Sequence, residues 1–355
     1  MGASSAPPPE RLSDLEQQAI AIRPRFSAGR AVFLIATAVS IYLLAPSIVE
    51  VFSAWDALDD FNPLALPVVV VLEGLSFACV WLLQSIALRR ERWKDIALSQ
   101  LAANALSRVV PGGGATSTVV QARMLGHAGF DLTRAATALT VQSLMITAAV
   151  VALPVFVIPG MVMGTQLPEN LLHAAWIGLG VFAVMAAVGT VLVATRRPFC
   201  ALGGLIERLV NMMPVRRAKV AGLADRLLVE RDEIRGTMGS RWPQAVGAAV
   251  GRWGFEYLVL LVALYAIDAS PEPWSVLLAF SAAALLSQIP ITPGGLGFVE
   301  AGLTAALTAA GIGAEKALAA TLLFRLVSFW LPLPIGAIAG WAFRRRYRVL
   351  NARPA

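Results

Sequence analysis

The chain has 355 residues, 57% of them hydrophobic and 14% charged, with 29 Lys and Arg against 22 Asp and Glu for a net charge of +7. A soluble domain carries about 25% charged residues to cover its surface. This composition therefore excludes a water-soluble enzyme, a disordered chain and a disulfide scaffold, and predicts an all-α integral membrane protein.

The first 30 residues, with Pro7-Pro8-Pro9, read as a mobile polar tail without the features of a cleaved signal peptide. A membrane helix needs about 20 apolar residues, and six stretches qualify: 31–52, 66–88, 135–158, 172–195, 244–267 and 317–341. Two more apolar stretches, 96–125 and 275–310, are broken near their middles by Pro and Gly. Between 196 and 243 lies a loop that mixes aliphatic residues with Arg and Lys, as in helices lying on an anionic membrane surface. Residues 344–355 form a basic tail beginning Arg344-Arg345-Arg346, read as a stop signal on anionic lipid.

Charge fixes the orientation. The tail 1–30, the region 89–134, the loop 196–243 and the tail 342–355 hold 26 of the 29 basic residues. The loops 53–65, 159–171 and 268–274 hold none, but carry Asp56, Asp59, Asp60, Glu169, Asp268 and Glu272. Basic residues collect on the cytoplasmic side, so both termini are expected in the cytoplasm of a bacterial plasma membrane. Each broken stretch must then return to the side it entered, as a re-entrant hairpin, or every later loop would flip. Trp55 and Trp274 on the outer side, and Trp93, Trp242 and Trp341 on the inner, fit interfacial anchors.

The element order span, span, hairpin, span occurs twice, predicting a 3+3 inverted repeat with halves at 31–158 and 159–343. Both hairpins turn at Pro-Gly-Gly, Pro111-Gly112-Gly113 and Pro293-Gly294-Gly295. Glu73 precedes the first turn by 38 residues and Glu256 the second by 37; Gln142 follows the first by 31 and Arg325 the second by 32. Inverted repeats with Gly/Pro-broken segments at matching positions point to a transporter with its site near the midplane. Half-helices starting after Gly113 and Gly295 would offer free N–H groups to an anion.

The run Ser287-Gln288-Ile289-Pro290-Ile291-Thr292-Pro293-Gly294-Gly295-Leu296-Gly297, followed by Glu300 and by Phe324-Arg325-Leu326 before Trp330-Leu331-Pro332, forms a distinct signature. Together with Arg108-Val109-Val110-Pro111-Gly112-Gly113-Gly114 it resembles the flippase-like transmembrane family of lysylphosphatidylglycerol synthases. The resemblance covers residues 30–345 and implies movement of a polar-headed lipid between leaflets. Two-part members of the family carry a soluble aminoacyl-transfer domain after the membrane region; here the chain stops at Ala355, so no synthase activity is carried over and the protein is not expected to be an enzyme.

Glu73, Arg252, Glu256, Glu300 and Arg325 fall at membrane depth. At about 2.5–3.5 kcal/mol each, five uncompensated charges would cost about 12–17 kcal/mol, beyond the stability of a typical protein. They must pair or face water. Arg252 and Glu256 are i,i+4 neighbours, and Glu300 with Arg325 is expected to pair across helices. Such pairs serve either helix register or headgroup binding. Arg108, Arg123 and Arg134 are placed around the cytoplasmic mouth of the first hairpin, as anchors or as phosphate ligands. Gln121, Gln142, Gln288, Ser287 and Thr292 either line the path or hydrogen-bond between helices. Cys79 and Cys200 are the only cysteines and His127 and His173 the only histidines; no metal site or cofactor is expected. The expected partners are membrane lipids, with a second copy of the chain and a lipid- or glycan-modifying enzyme as further candidates; nucleic acid is not among them. The leading reading is a translocase of phospholipid or lipid-linked saccharide; the alternative is a non-transporting subunit that scaffolds such an enzyme through the 196–243 loop.

Overall fold

A computed structural model describes residues 62–90, 92–110, 113–163, 241–288 and 292–351, together with scattered helical positions between 173 and 187. The expected spans 31–52 and most of 172–195, the loop 196–240, both chain ends, Pro111 and Gly112 lie outside the described residues. Among those described, every regular element is helical.

Helix α1 (Ala65–Leu88) starts from a turn at Asn62-Pro63, where the Leu64 N–H donates to Asn62 Oδ1 at 3.1 Å, and ends at Arg89 with φ 52°. Helices α2 (Trp93–Val109) and α3 (Gly113–His127) flank the first Pro-Gly-Gly break. The Asp131 carboxylate caps α4 (Leu132–Ala152) by accepting the Arg134 N–H at 2.8 Å. Pro154 and Pro159 then turn the chain through a 3-10 segment, Leu153–Val157, into the short α5 (Ile158–Val162). Helix α6 (Trp242–Ala266) carries Pro243 in its first turn, where a missing N–H costs nothing. Helix α7 (Pro273–Leu286) combines Pro273 at its start with a Glu272 cap on the Ser275 N–H at 2.6 Å. The second Pro-Gly-Gly forms a 3-10 turn, Pro293–Gly295, before α8 (Phe298–Ala309). Helix α9 (Ala314–Arg325), a π turn at Leu326–Trp330 and α10 (Pro332–Asn351) run on end to end.

Among the described residues, four stretches are long and apolar enough to cross a membrane: Ala65–Leu88, Leu132–Val162, Trp242–Ala266 and Ala314–Tyr347. They coincide with four of the six expected spans, and Val68, Val71, Leu75 and Leu82 of α1 are exposed, as lipid-facing side chains are. The broken stretches instead fold as short helices packed in pairs, α2 on α3 and α7 on α8. Their limbs of 17 and 15, and of 14 and 12, residues each fall short of the about 20 needed for a crossing.

Helix α1 lies along α6, and α4, α7, α8 and α9 close around that pair over a core containing Leu83, Val150, Leu260, Leu264, Phe280, Leu303 and Leu307. A second core of Leu88, Ile96, Leu125, Leu139, Phe343 and Tyr347 joins α1 to α4 and α10. At the basic end of the bundle Asp95 is buried. Its carboxylate lies 2.8 Å from Arg92 Nη2 and 3.6 Å from Arg346 Nε, and it accepts the Tyr347 hydroxyl at 2.8 Å. Arg92 also donates to the Ala128 carbonyl after α3 and stacks on Phe130. Arg346, expected only to meet lipid, thus also helps tie α10 to α2. Trp93, Trp242 and Trp341 are exposed.

Gly336 and Gly340, four residues apart on α10, let that helix touch α2: a Cβ on Gly336 would stand 2.4 Å from the Leu101 carbonyl oxygen, and one on Gly340 would stand 3.3 Å from Ala102 Cβ. A methyl facing rigid backbone forces the helices apart. Gly336→Ala is expected to cost about 1–3 kcal/mol and to lower the melting temperature in detergent. Gly254→Ala, with nothing within 4 Å of the new Cβ, serves as the neutral comparison.

Candidate functional site

Six ionisable side chains gather where α1, α2, α6, α8 and α9 meet. By helical rise, Glu73 lies about 12 Å from the start of α1, Glu256 about 15 Å from the end of α6 and Arg325 about 16 Å from the start of α9. Those depths are close to the middle of a hydrocarbon layer about 30 Å thick.

On the α1–α6 side, Arg252 Nη1 stands 2.6 Å from Glu256 Oε1, the i,i+4 pair expected from the spacing. The same guanidinium donates to Ser76 Oγ at 2.8 Å, and the Ser76 hydroxyl donates to the Arg252 carbonyl at 3.1 Å, so one serine locks α1 to α6. The guanidinium also lies over the ring of Trp253, whose indole N–H donates to the Ile146 carbonyl of α4 at 2.9 Å. Glu73 sits one turn before Ser76 and is 4% exposed. The charges of Glu256, Arg252 and Arg108 act on it, yet among the described residues its Oε2 has no hydrogen-bond partner.

On the other side, Arg325 Nε lies 2.6 Å from Glu300 Oε1, an ion pair between α9 and the first turn of α8. A carboxylate at a helix N-terminus is favoured by the dipole; Glu300 Oε2 is nevertheless without a partner among the described residues. Arg325 Nη2 donates to the Gly294 carbonyl at 3.1 Å, tying the second Pro-Gly-Gly turn to the span. Gly294 has φ 61°, and a Cβ there would fall 2.4 Å from Phe329 Cε2 and 3.1 Å from the Arg108 carbonyl oxygen. Only glycine meets both the backbone angle and the space.

Arg108, in the last turn of α2, completes the junction. It donates through Nε to Asn104 Oδ1 at 2.8 Å and through Nη1 to the Ser328 carbonyl at 2.6 Å. That carbonyl is free for a local reason: Pro332, four residues on, has no N–H to return to it, and the chain widens into the π turn, with the Leu331 N–H bonding the Leu326 carbonyl at 2.9 Å. The Arg108 and Arg325 guanidinium carbons lie 5.0 and 4.3 Å from the centre of the Phe329 ring.

Three expectations need correcting. Arg108 does not share the mouth of the first hairpin with Arg123 and Arg134: it lies about 22 Å along α2 from Trp93 and faces the second Pro-Gly-Gly turn, whereas Arg123 is exposed and the Arg134 backbone takes the α4 cap. Gln288 is exposed at the end of α7, where among the described residues its side chain bonds its neighbours Ala284 and Ser287. Helix α8 begins at Phe298 rather than after Gly295, because Gly294, Gly295 and Gly297 all hold positive φ; α3, after the first break, does begin at Gly113. Thr292 closes the turn on the Leu296 carbonyl. Gln142 is part-buried on α4 with Oε1 unpartnered among the described residues, and Gln121 bonds Gln84 at 3.2 Å.

Sequence reasoning missed Ser76, Phe329 and Asp95. Phe329 follows Arg325 by four residues, a spacing that stacks an aromatic ring on a guanidinium within one helix and could have marked it. A single buried serine or aspartate leaves no such signature. Since removing one member of a buried pair strands the other charge, Glu300→Ala is expected to destabilise the protein by about 3–5 kcal/mol. Glu300→Leu with Arg325→Met should recover most of that loss, as read by melting in detergent.

Residues 31–336 match the family described as the lysylphosphatidylglycerol synthase TM region. The chain is also similar to the UPF0104 membrane protein of Methanothermobacter thermautotrophicus, 34% identical over 91 residues that make up 26% of each chain. A UPF0104 membrane protein of Pyrococcus horikoshii is 31% identical over 86 residues, 24% of this chain and 26% of that one. The matched segments span about a quarter of these relatives' length. With the family match covering most of its sequence and four apolar helices of spanning length, the chain is a multi-pass membrane protein that belongs to the lysylphosphatidylglycerol synthase transmembrane family.

Proposed function

We propose that the protein is a lipid translocase of a bacterial plasma membrane, with both termini cytoplasmic, that moves a polar-headed phospholipid or lipid-linked saccharide between leaflets. The observation that carries this reading is the junction of Arg108, Arg325, Glu300 and Gly294, where the tip of one broken helix pair meets the turn of the other at mid-span. Both pairs are read as re-entrant hairpins, entering from opposite sides in a 3+3 inverted repeat. Irregular backbone and ionised side chains persist at membrane depth where they line a wet path or are buried in protein, and a headgroup needs such a path while its acyl chains stay in lipid.

In this scheme the headgroup follows the hairpin tips, and Arg108 and Arg325 supply donors for its anionic oxygens. Phe329 holds the two guanidiniums in place, and Arg252 with Glu256 forms the far wall. The repeats rock about the α1–α6 contact, so that the groove opens first to one leaflet and then to the other. No chemical conversion of the lipid is part of the scheme.

The test uses proteoliposomes containing a fluorescent-headgroup lipid, with quencher added outside. The wild type should make the inner-leaflet probe accessible faster than protein-free vesicles. Arg325→Ala and Arg108→Ala should each slow this by about tenfold or more, the equivalent of one lost charge-assisted contact of about 1.5–3 kcal/mol. Equal rates with and without protein, across lipids of different headgroup, would overturn the proposal.

A further inference from the structure

The six junction charges are not all used alike. Among the described residues, Arg252–Glu256 and Arg325–Glu300 form two closed ion pairs, and Arg108 is held by Asn104 and the Ser328 carbonyl. Glu73, in contrast, has neither an ion pair nor a hydrogen bond to Oε2 among the described residues, although it is 4% exposed and lies on the helix that packs most intimately on α6. The repeat spacing sharpens the contrast. Glu256, its counterpart by distance from Pro-Gly-Gly, has Arg252 four residues before it; Glu73 has Val69 there. Repeat two thus carries its own counter-charge, and repeat one leaves a carboxylate open.

Three Arg and three Glu sum to zero. An anionic headgroup entering this set leaves one uncompensated negative charge in a low-dielectric layer, which opposes its entry. One proton on Glu73 restores the balance. A metal cation fits less well, since it needs several oxygen ligands, whereas the charges acting on Glu73 include two guanidiniums that repel it. The groups facing Glu73 are Arg252 and Glu256 from α6 and Arg108 from α2, with Cys79 further along α1. The π turn brings no charged side chain, and the only one on α4, Arg134, is in its first turn.

We propose that Glu73 is a proton-binding site that couples proton movement to translocation of a lipid with an anionic headgroup. The Glu73 carboxylate takes a proton from water on the side to which the groove is open, and rocking of the repeats then exposes the protonated carboxyl and the headgroup together to the other side. The proton then returns to water on the other side, leaving the carboxylate. Nothing is oxidised or reduced. The coupling rests on the translocase reading above; proton binding by Glu73 does not.

Two measurements on the full chain separate them. In proteoliposomes holding a fluorescent phosphatidylglycerol, a one-unit pH gradient should enrich the probe in the leaflet towards which protons run, approaching tenfold for one proton per lipid. In Glu73→Gln the leaflet ratio should stay at one under the same gradient, whatever its rate. A Na+ gradient at equal pH should leave the wild-type ratio at one. Infrared difference spectra of the purified protein across a pH titration should show one carboxyl C=O band that Glu73→Gln removes. Lipid movement to an even distribution under a pH gradient, or enrichment that follows Na+, would overturn the coupling while leaving the translocase reading intact. If no lipid moves at all, the translocase reading and the coupling fall together, and the infrared band alone decides whether Glu73 binds a proton. A wild-type titration without that band overturns the site itself.

Discussion

Arg325 is the side chain on which the middle of this protein is organised. One guanidinium binds the carboxylate that starts α8, the carbonyl of the second Pro-Gly-Gly turn and the face of Phe329. Each contact belongs to a different segment, so a single planar group with fixed donors sets where a break, a helix start and a widened turn lie relative to one another. Lysine, a point charge on a flexible stem, could not hold three such directions at once. Desolvating a guanidinium is costly unless its hydrogen bonds are made, and here two are made at 2.6 and 3.1 Å.

The same economy explains the irregular backbone. Pro332 denies Ser328 its helical donor, the π turn absorbs the mismatch, and Arg108 arrives from another helix to use the freed carbonyl. Gly294 supplies a positive φ and the room for Phe329 to approach. Defects that would be penalised singly in hydrocarbon satisfy each other when gathered, which is why they sit together and not along the spans.

Much of this was legible in the sequence because it rests on local chemistry. Apolar length gave four of the described spans; Pro and Gly gave both breaks; i,i+4 spacing gave Arg252–Glu256; and the cost of burying charge required a partner for Arg325, which Glu300 provides. What escaped depends on contacts between segments far apart in the chain. Arg108 looks like any basic residue near a cytoplasmic loop until α2 is folded and its last turn is carried to the second Pro-Gly-Gly turn. Asp95 reads as surface charge beside Trp93 and Lys94, yet it is buried by Tyr347, 252 residues away. Ser76 is one hydroxyl in an apolar helix. Neither composition nor periodicity records such meetings.

The glycines of α10 have a mechanical consequence. Where Gly336 faces the Leu101 carbonyl, two main chains touch with no side chain between them, and the Asp95 cluster fastens the same pair of helices at their basic end. Bolted at two points, α2 and α10 act as one strut, and Arg108 rides at its tip. Displacing that strut necessarily drags the Ser328 carbonyl and the wide turn beneath it, so compliance is left to the π segment, the one place along α9 and α10 where the helical ladder is already loosened.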